Sequence, residues 1–473
     1  MMIFPRPLFR AVWHSALLAL SLLAGCSDSG NSPISPASDV RHAFVLLGED
    51  GQAIARAITA ASTCPAIAID GSRPVQMTLR AAAATLPARP TAYDKDNTVP
   101  ADFPVTICEA SVRAGAARAT IGARELPLPK PHPQKIILIG DTGCRMKGVG
   151  DAGQYQACND PEKWPFKAIA GIAAAQAPDV VIHVGDYHYR ETPCPVGDTG
   201  CQGSPYGFSW SSWEPDFFAP GGALLAAAPW IVVRGDHETC DRGGQGWWRL
   251  LDPRPLEAMQ DCNDPANDGT GNYSEPYAVP LADDMMFIVF DSAAVRDKAL
   301  APGDAEYKQY AAQFARAFAL GATRPHAFFM NHHPILGYNS DGTPTALPGN
   351  EALQSVLKTI VPGALFPMNV EAVLSGHVHM LQIVSFATPQ PPIFIPGNGG
   401  TDLVPDFTKY PAGPTPLPGA IVANQLATAR FGFMTMERSG AGWVLTSFDR
   451  SGLPLTSCTL FERKASCTPL AAG

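Results

Sequence analysis

Three things are missing from this 473-residue chain: a run of lysines and arginines, a CxxC pair, and an internal repeat. Proteins that bind nucleic acid carry clustered cations to meet the phosphate backbone, so the lack of a basic run disfavours that role. Without CxxC spacing, a cysteine zinc site has no scaffold. The lack of a repeat excludes a repeat array. Charge is also scarce: 16% of residues are charged against 46% hydrophobic, and the net charge is −9. This balance supports a sizeable core and argues against wholesale disorder. An acidic chain that acts on an anion must offset its own field locally, and metal ions supply such charge.

The apolar stretch at the N-terminus is too short to span a bilayer comfortably. Arg6 and Arg10 precede an apolar run from Ala16 to Leu23, the pattern of an export signal. The run ends in Leu23-Ala24-Gly25-Cys26, which resembles a bacterial lipoprotein lipobox. That resemblance implies acylation of Cys26, removal of residues 1–25 so that Cys26 becomes the mature N-terminus, and an anchor facing the periplasm. Ser27 after the lipid cysteine points to the outer membrane. Residues 27–39 are small, polar and proline-bearing, as in a flexible tether. On this reading the lipid is the chain's single link to a membrane.

Setting Cys26 aside leaves ten of the eleven cysteines, an even number that suits disulfides in an exported protein. Pairing in sequence order closes short loops: 64–108, 144–158, 194–201, 240–262 and 458–467. Connectivity does not follow from sequence, so this order is a hypothesis.

Length favours a large unit plus a smaller one. Residues 40–128 alternate apolar and polar positions between Gly, Pro and Asp, predicting a small β-rich domain, although AITAAS and RAAAAT also suit helix. The stretch 126–133 (LPLPKPHP) is a stiff linker. A domain over 134–452 and a tail over 453–473 follow. Strand-length apolar runs recur there at 135–141, 180–186, 230–236, 286–292, 327–333 and 370–377. Helical patterns lie near 165–176, 303–320 and 351–359. Strands alternating with helices predict an α/β fold with flanked sheets.

Five of these runs end in residues able to bind metals: Asp141; Asp186 with Tyr189; Asp236 with His237 and Glu238; His332; and His377 with His379. Ligands in α/β sheets bind at the carboxyl ends of strands. Carboxylate, imidazole and phenolate donors suit iron, manganese or zinc, and a shared carboxylate holds two cations about 3.5–4 Å apart. Arg145 and Lys147 beside Asp141, and Asn331, His333 and Tyr338 beside His332, are further pocket candidates; each also reads as a solvated charge or as loop packing.

The clusters are Gly140-Asp141-Thr142-Gly143, Gly185-Asp186-Tyr187-His188-Tyr189, Gly235-Asp236-His237-Glu238, Phe329-Met330-Asn331-His332 and Gly376-His377-Val378-His379. In this order they resemble the calcineurin-like metallophosphoesterases, purple acid phosphatase branch, over roughly residues 135–450. The resemblance implies a sandwich of two β-sheets flanked by helices. It makes Asp141, Asp186, Tyr189 and His379 ligands of a ferric ion. Asp186 bridges to a second ion, Fe(II), Zn or Mn, held by Asp236, His332 and His377. His237 becomes the phosphate contact and Glu238 the acid that orients it. The implied reaction is hydrolysis of small phosphate monoesters by hydroxide that the cations make available. A phosphodiesterase or nucleotidase of the same superfamily would carry the same motifs, and a lipid-anchored binding protein with a degenerate site is a more distant alternative. One position departs from the pattern: the family has Asn where this chain has Asp236. The added negative charge is expected to raise the pH optimum.

Overall fold

The computed structural model describes residues 39–148, 153–282, 284–410 and 415–470. Cys26, the export signal and all of the tether but Asp39 lie outside the described residues.

Of the strands before residue 277, seven build the first sheet: β1 (Val40–Leu47), β2 (Ala53–Thr59), β3 (Thr78–Ala81), β4 (Thr106–Val112), β5 (Lys135–Ile139), β6 (Val180–His183) and β7 (Trp230–Val232). A second set follows: β8 (Tyr277–Ala282), β9 (Met285–Val289), β10 (His326–Met330), β11 (Val370–Leu374), β12 (Leu381–Phe386), β13 (Ile393–Pro396) and β14 (Val422–Thr428). The chain then returns through β15 (Gly432–Ser439), β16 (Gly442–Asp449), β17 (Pro454–Phe461) and β18 (Lys464–Pro469). One eleven-stranded sheet runs β18-β17-β16-β15-β5-β6-β7-β1-β2-β4-β3, and a seven-stranded sheet runs β8-β9-β10-β11-β13-β12-β14. The centre of each sheet is parallel: β5, β6 and β7 in the first, β9, β10, β11 and β13 in the second.

Period-two alternation explains why these strands are apolar on both faces. In β5, Ile136 and Leu138 point into the core between the sheets, while Ile137 and Ile139 face the opposite layer. In β10, Phe328 and Met330 enter the same inter-sheet core, and Ala327 and Phe329 face outward. Helix α1 (Phe166–Ala175) and a group of indoles including Trp213, Trp247 and Trp248 cover the outer face of the first sheet. Helices α2 (Ala305–Gly321) and α3 (Glu351–Ile360) cover that of the second. A fully buried Ile, Leu or Phe contributes about 1.5–3 kcal/mol, so three contiguous layers suffice to hold the sandwich. The α/β class and the three long helices match the expectations from sequence.

The β-rich segment 40–128 continues the first sheet: β1 lies parallel to β7, with Leu46 opposite Trp230. Its other strands include a four-stranded sheet built around Ala66–Ile69 and Ala119–Ile121. AITAAS does not form a helix; Ala57, Ile58 and Thr59 pair with β1 and β4 in the strand ladder. The C-terminal residues form the β17–β18 hairpin, with Cys458 opposite Cys467. Five disulfides join Cys64–Cys108, Cys144–Cys158, Cys194–Cys201, Cys240–Cys262 and Cys458–Cys467, the sequential order. This density is consistent with an exported protein. Among the described residues no helix is long and apolar enough to cross a membrane.

Candidate metal centre

The five sequence clusters all follow parallel strands at one end of the sandwich. Asp141 comes after β5, Asp186 after β6, Asp236 after β7, His332 after β10 and His377 after β11. The loops are laced together by backbone hydrogen bonds. Asp141 N–H donates to the Gly185 carbonyl (3.0 Å), and Gly376 N–H to that of His332 (2.9 Å). Close approach excludes side chains at two points: a Cβ on Gly235 would lie 2.0 Å from Asp186 Oδ1, and one on Gly185 2.3 Å from His332 Nδ1. Asp141 (φ 55°), Asp186 (φ 59°) and His377 (φ 71°) adopt left-handed backbone. That conformation costs free energy for residues with a Cβ and persists only where the surroundings enforce it.

Two donor sets result, one of Asp186, Asp236, His332 and His377 and one of Asp141, Asp186 and His379; within each, the donor atoms lie within 4.8 Å of one another. Asp186 belongs to both. Its Oδ2 is 2.6 Å from Tyr189 Oη and 3.2 Å from His332 Nε2. Tyr189 Oη is also 2.9 Å from His379 Nε2 and 3.2 Å from Asp141 Oδ1. Asp236 Oδ1 lies 3.2 Å from His332 Nε2 and 3.0 Å from His377 Nδ1. Two histidines have their tautomers set from outside. His332 Nδ1–H donates to the Val184 carbonyl (2.8 Å) and His379 Nδ1–H to that of Asp402 (2.9 Å), so each turns an Nε2 lone pair inward. Oxygen and imidazole donors in two sets sharing one carboxylate fit a pair of cations. A third cluster, Cys194, Asp198 and Cys201, is the Cys194–Cys201 disulfide and offers no thiolate.

Burial pushes Asp141 well above the usual carboxylate range. Burial, then the carboxylates of Asp186 and Asp141, push the Tyr189 phenol well above its usual range. Burial alone would raise Asp236, but hydrogen bonds from His332 and His377 outweigh it and hold the acid well below. His332 is raised despite burial, because Asp186 and Asp236 both face it.

Glu238 does not orient His237. Its carboxylate is fully buried and accepts the backbone N–H groups of Tyr187 (2.9 Å), Gly235 (3.1 Å), Asp186 (3.2 Å) and His188 (3.2 Å). It pins the two loops that carry Asp186 and Asp236, and its oxygens are committed there. The acid beside His237 is Glu191, with Oε1 2.8 Å from Nδ1. Arg242 completes the group. Its guanidinium donates to Glu191 (2.7 Å) and to Asp236 Oδ2 (2.5 Å), and it packs against the His237 ring. Burial, then Arg242, lower His237 to about 4. Burial would raise Glu191, but Arg242 and His237 bring it below the usual range. A second buried acid, Asp216, accepts the N–H groups of Tyr189 (2.6 Å) and Cys144 (2.7 Å). Sequence reasoning missed Glu191, Arg242 and Asp216. Glu191 and Arg242 stand within five positions of a motif, but nothing in their spacing marks the pairing.

A cavity of about 570 Å³ opens onto Asp186, Asp236, His237, His377 and His379, with Arg145 and Lys147 on its wall. Asn331, His333 and Tyr338 are buried outside it; Asn331 bonds Ser375 and Tyr338 donates to Gln425.

Residues 134–381 match the family model of the calcineurin-like phosphoesterases. A solved structure of the purple acid phosphatase PPD1 from yellow lupin (Lupinus luteus) is similar in fold. Identity is 14% and the TM-score 0.52, over 90% of this chain and 74% of the lupin chain. A structure of PhoD aligns at 10% identity and TM-score 0.48, over 91% of this chain and 93% of that one. A dimetal phosphatase from Danio rerio aligns at 11% identity and TM-score 0.35, over 70% of this chain and 99% of that one. No curated protein matches the chain. The family match covers more than half of the sequence, so the chain belongs to the calcineurin-like phosphoesterase family and is a metal-dependent phosphoester hydrolase.

Proposed function

We propose that this protein is an exported phosphatase that hydrolyses small phosphate monoesters at a centre of two cations. Asp141, Asp186, Tyr189 and His379 hold the first cation; Asp186, Asp236, His332 and His377 hold the second. The observation that carries the reading is the position of Asp186 Oδ2, within 3.2 Å of donors from both sets. When bound, two cations so placed would polarise the phosphoryl group and lower the pKa of a water toward about 7.

The chain's own residues do the rest. Asp186 fixes the separation of the two donor sets. Glu238 and Asp216 hold the ligand loops from behind, so little reorganisation is needed as charge develops. His237 lies on the cavity wall and contacts the phosphate. Glu191 accepts its Nδ1 proton and fixes the ring's orientation. Arg242 neutralises the outer oxygen of Asp236, which moderates the cost of a carboxylate where the family has an amide.

Tyr189 favours a hard trivalent ion, and we assign iron to the first site and Fe(II), Zn or Mn to the second. A visible phenolate charge-transfer band in the purified protein, lost in Tyr189→Phe, tests the iron; a colourless active protein refutes it. The lipid on Cys26 and the outer-membrane address complete the proposal, and the mass of the mature N-terminal peptide checks the lipid. Substrate class is tested by turnover of an aryl phosphate monoester and its matching diester, with Asp186→Asn as control. Monoester preference lost in the variant supports the proposal. Preference for the diester moves the reading to a phosphodiesterase with the same metal ligands.

A further inference from the structure

The wall of the metal cavity carries two cations, Arg145 and Lys147, that form no ion pair among the described residues. Among the described residues, Lys147 Nζ has no hydrogen bond or ion pair; its contact is the Tyr93 ring, 5.3 Å away at the centroid. Arg145 Nη1 lies 3.0 Å from His379 Nδ1. That nitrogen already gives its proton to the Asp402 carbonyl, so it has no lone pair to accept another. Arg145 Nε is buried without a partner.

Nearby acids form no ion pair with these cations: Glu191 and Asp236 attract Lys147 from a distance, but both are bonded to Arg242. Asp94 accepts from Asp96 and Asn97 within its own turn, and Asp341 from Thr343. Asp402 lines the cavity without forming an ion pair to either cation. A cationic group held at a cavity without an acceptor is suited to an anion brought by a ligand. Tyr93 ties this corner to the β-rich segment: its N–H donates to the Asp241 carbonyl (2.9 Å), and Arg242 lies 5.2 Å from its ring. A second cavity of about 700 Å³ begins here and shares Arg145, Lys147 and Gln154 with the first. Space for a leaving group therefore leads from the metal donors past both cations.

We infer that Arg145 and Lys147, buttressed by Tyr93, form an anion subsite for a second phosphate on the leaving group, so that the preferred substrates are bisphosphates. The inference rests on the two-cation reading, since it places the reacting phosphate at Asp186. Titration of the metal-loaded protein with propylphosphonate and with propane-1,3-diphosphonate, which adds a second phosphonate, tests it. The diphosphonate is expected to bind at least about tenfold tighter, from added charge-assisted hydrogen bonds. Lys147→Met is expected to erase most of that advantage while leaving propylphosphonate within about twofold, because the one-phosphonate ligand does not reach the subsite. Equal affinities in the unaltered protein overturn the subsite, as does a Lys147→Met protein that still prefers the diphosphonate. Equal weakening of both ligands places Lys147 at the reacting phosphate and also overturns it. Metal content separates the two levels. Two ions per chain with no diphosphonate preference defeats the subsite alone, whereas fewer than two ions with no binding defeats both.

Discussion

The two halves of the donor cluster differ in how they meet solvent. On one side Asp141 and Tyr189 are fully buried, and His379 is nearly so. On the other, the side chains of Asp236 and His377 keep 23% and 24% of their exposure. His332 is buried between them. The sealed half is backed by Asp216 and the Cys144–Cys158 disulfide, while the open half leans on Arg242, a long side chain reaching in from a loop. One family motif set thus has a more deeply buried side, which meets the cavity only at the edge of His379, and a side that faces the cavity more openly. A dry site holds its ion against exchange, whereas an exposed one admits ligand and loses its ion more readily.

Substitutions can break this contrast or sharpen it. Asp186→Asn removes the shared carboxylate and is expected to show the largest effect, a loss of at least about 10³-fold in kcat with fewer than two ions bound; metal analysis beside turnover checks it. A chelator should act on the halves unequally. Metal loss against time is expected to be biphasic, with the open half emptying first, and a single phase contradicts the contrast. His237→Ala is expected to cost about 10²–10⁴ in rate, and full activity would remove the ring from the mechanism.

Two acids separate positioning by Glu191 from scaffolding by Glu238. Glu191→Gln should lower kcat and shift the pH profile with the melting temperature largely kept. Glu238→Gln turns an amide toward backbone donors and should lower the melting temperature, because buried N–H groups lose their acceptor at about 1–3 kcal/mol each. The smallest effect belongs to Asp236→Asn. Removing one negative charge beside the second site makes water there more acidic, so the optimum falls. Because Arg242 already neutralises the outer oxygen, the fall is expected to be under about one pH unit. An unchanged optimum would mean that Asp236 exerts no charge on that water.

Much of the site was legible because ligands of this kind follow strands. An apolar run that ends in Gly-Asp, Asn-His or Gly-His-x-His places donors at a sheet edge, and this pattern marks Asp141, Asp186, Asp236, His332, His377 and His379. Glu238 shows where adjacency misleads. It is next to His237 in sequence, yet on the short turn at 236–238 its carboxylate faces backbone donors on two loops. Glu191 lies 46 positions before His237 and reaches it because β6 and β7 are neighbours in the sheet. Arg145 and Lys147 were visible as charges, but only their lack of partners gives them meaning.

Residue type and local spacing were enough for the layered α/β class, the strand ends that bear donors, the family and the even cysteine count. Tertiary structure alone decided which acid meets His237, which half of the centre is sealed, that the β-rich segment continues the first sheet, and which cations stand unpaired. These depend on loops that approach from distant parts of the chain, and burial, partnering and charge balance exist only once they have met.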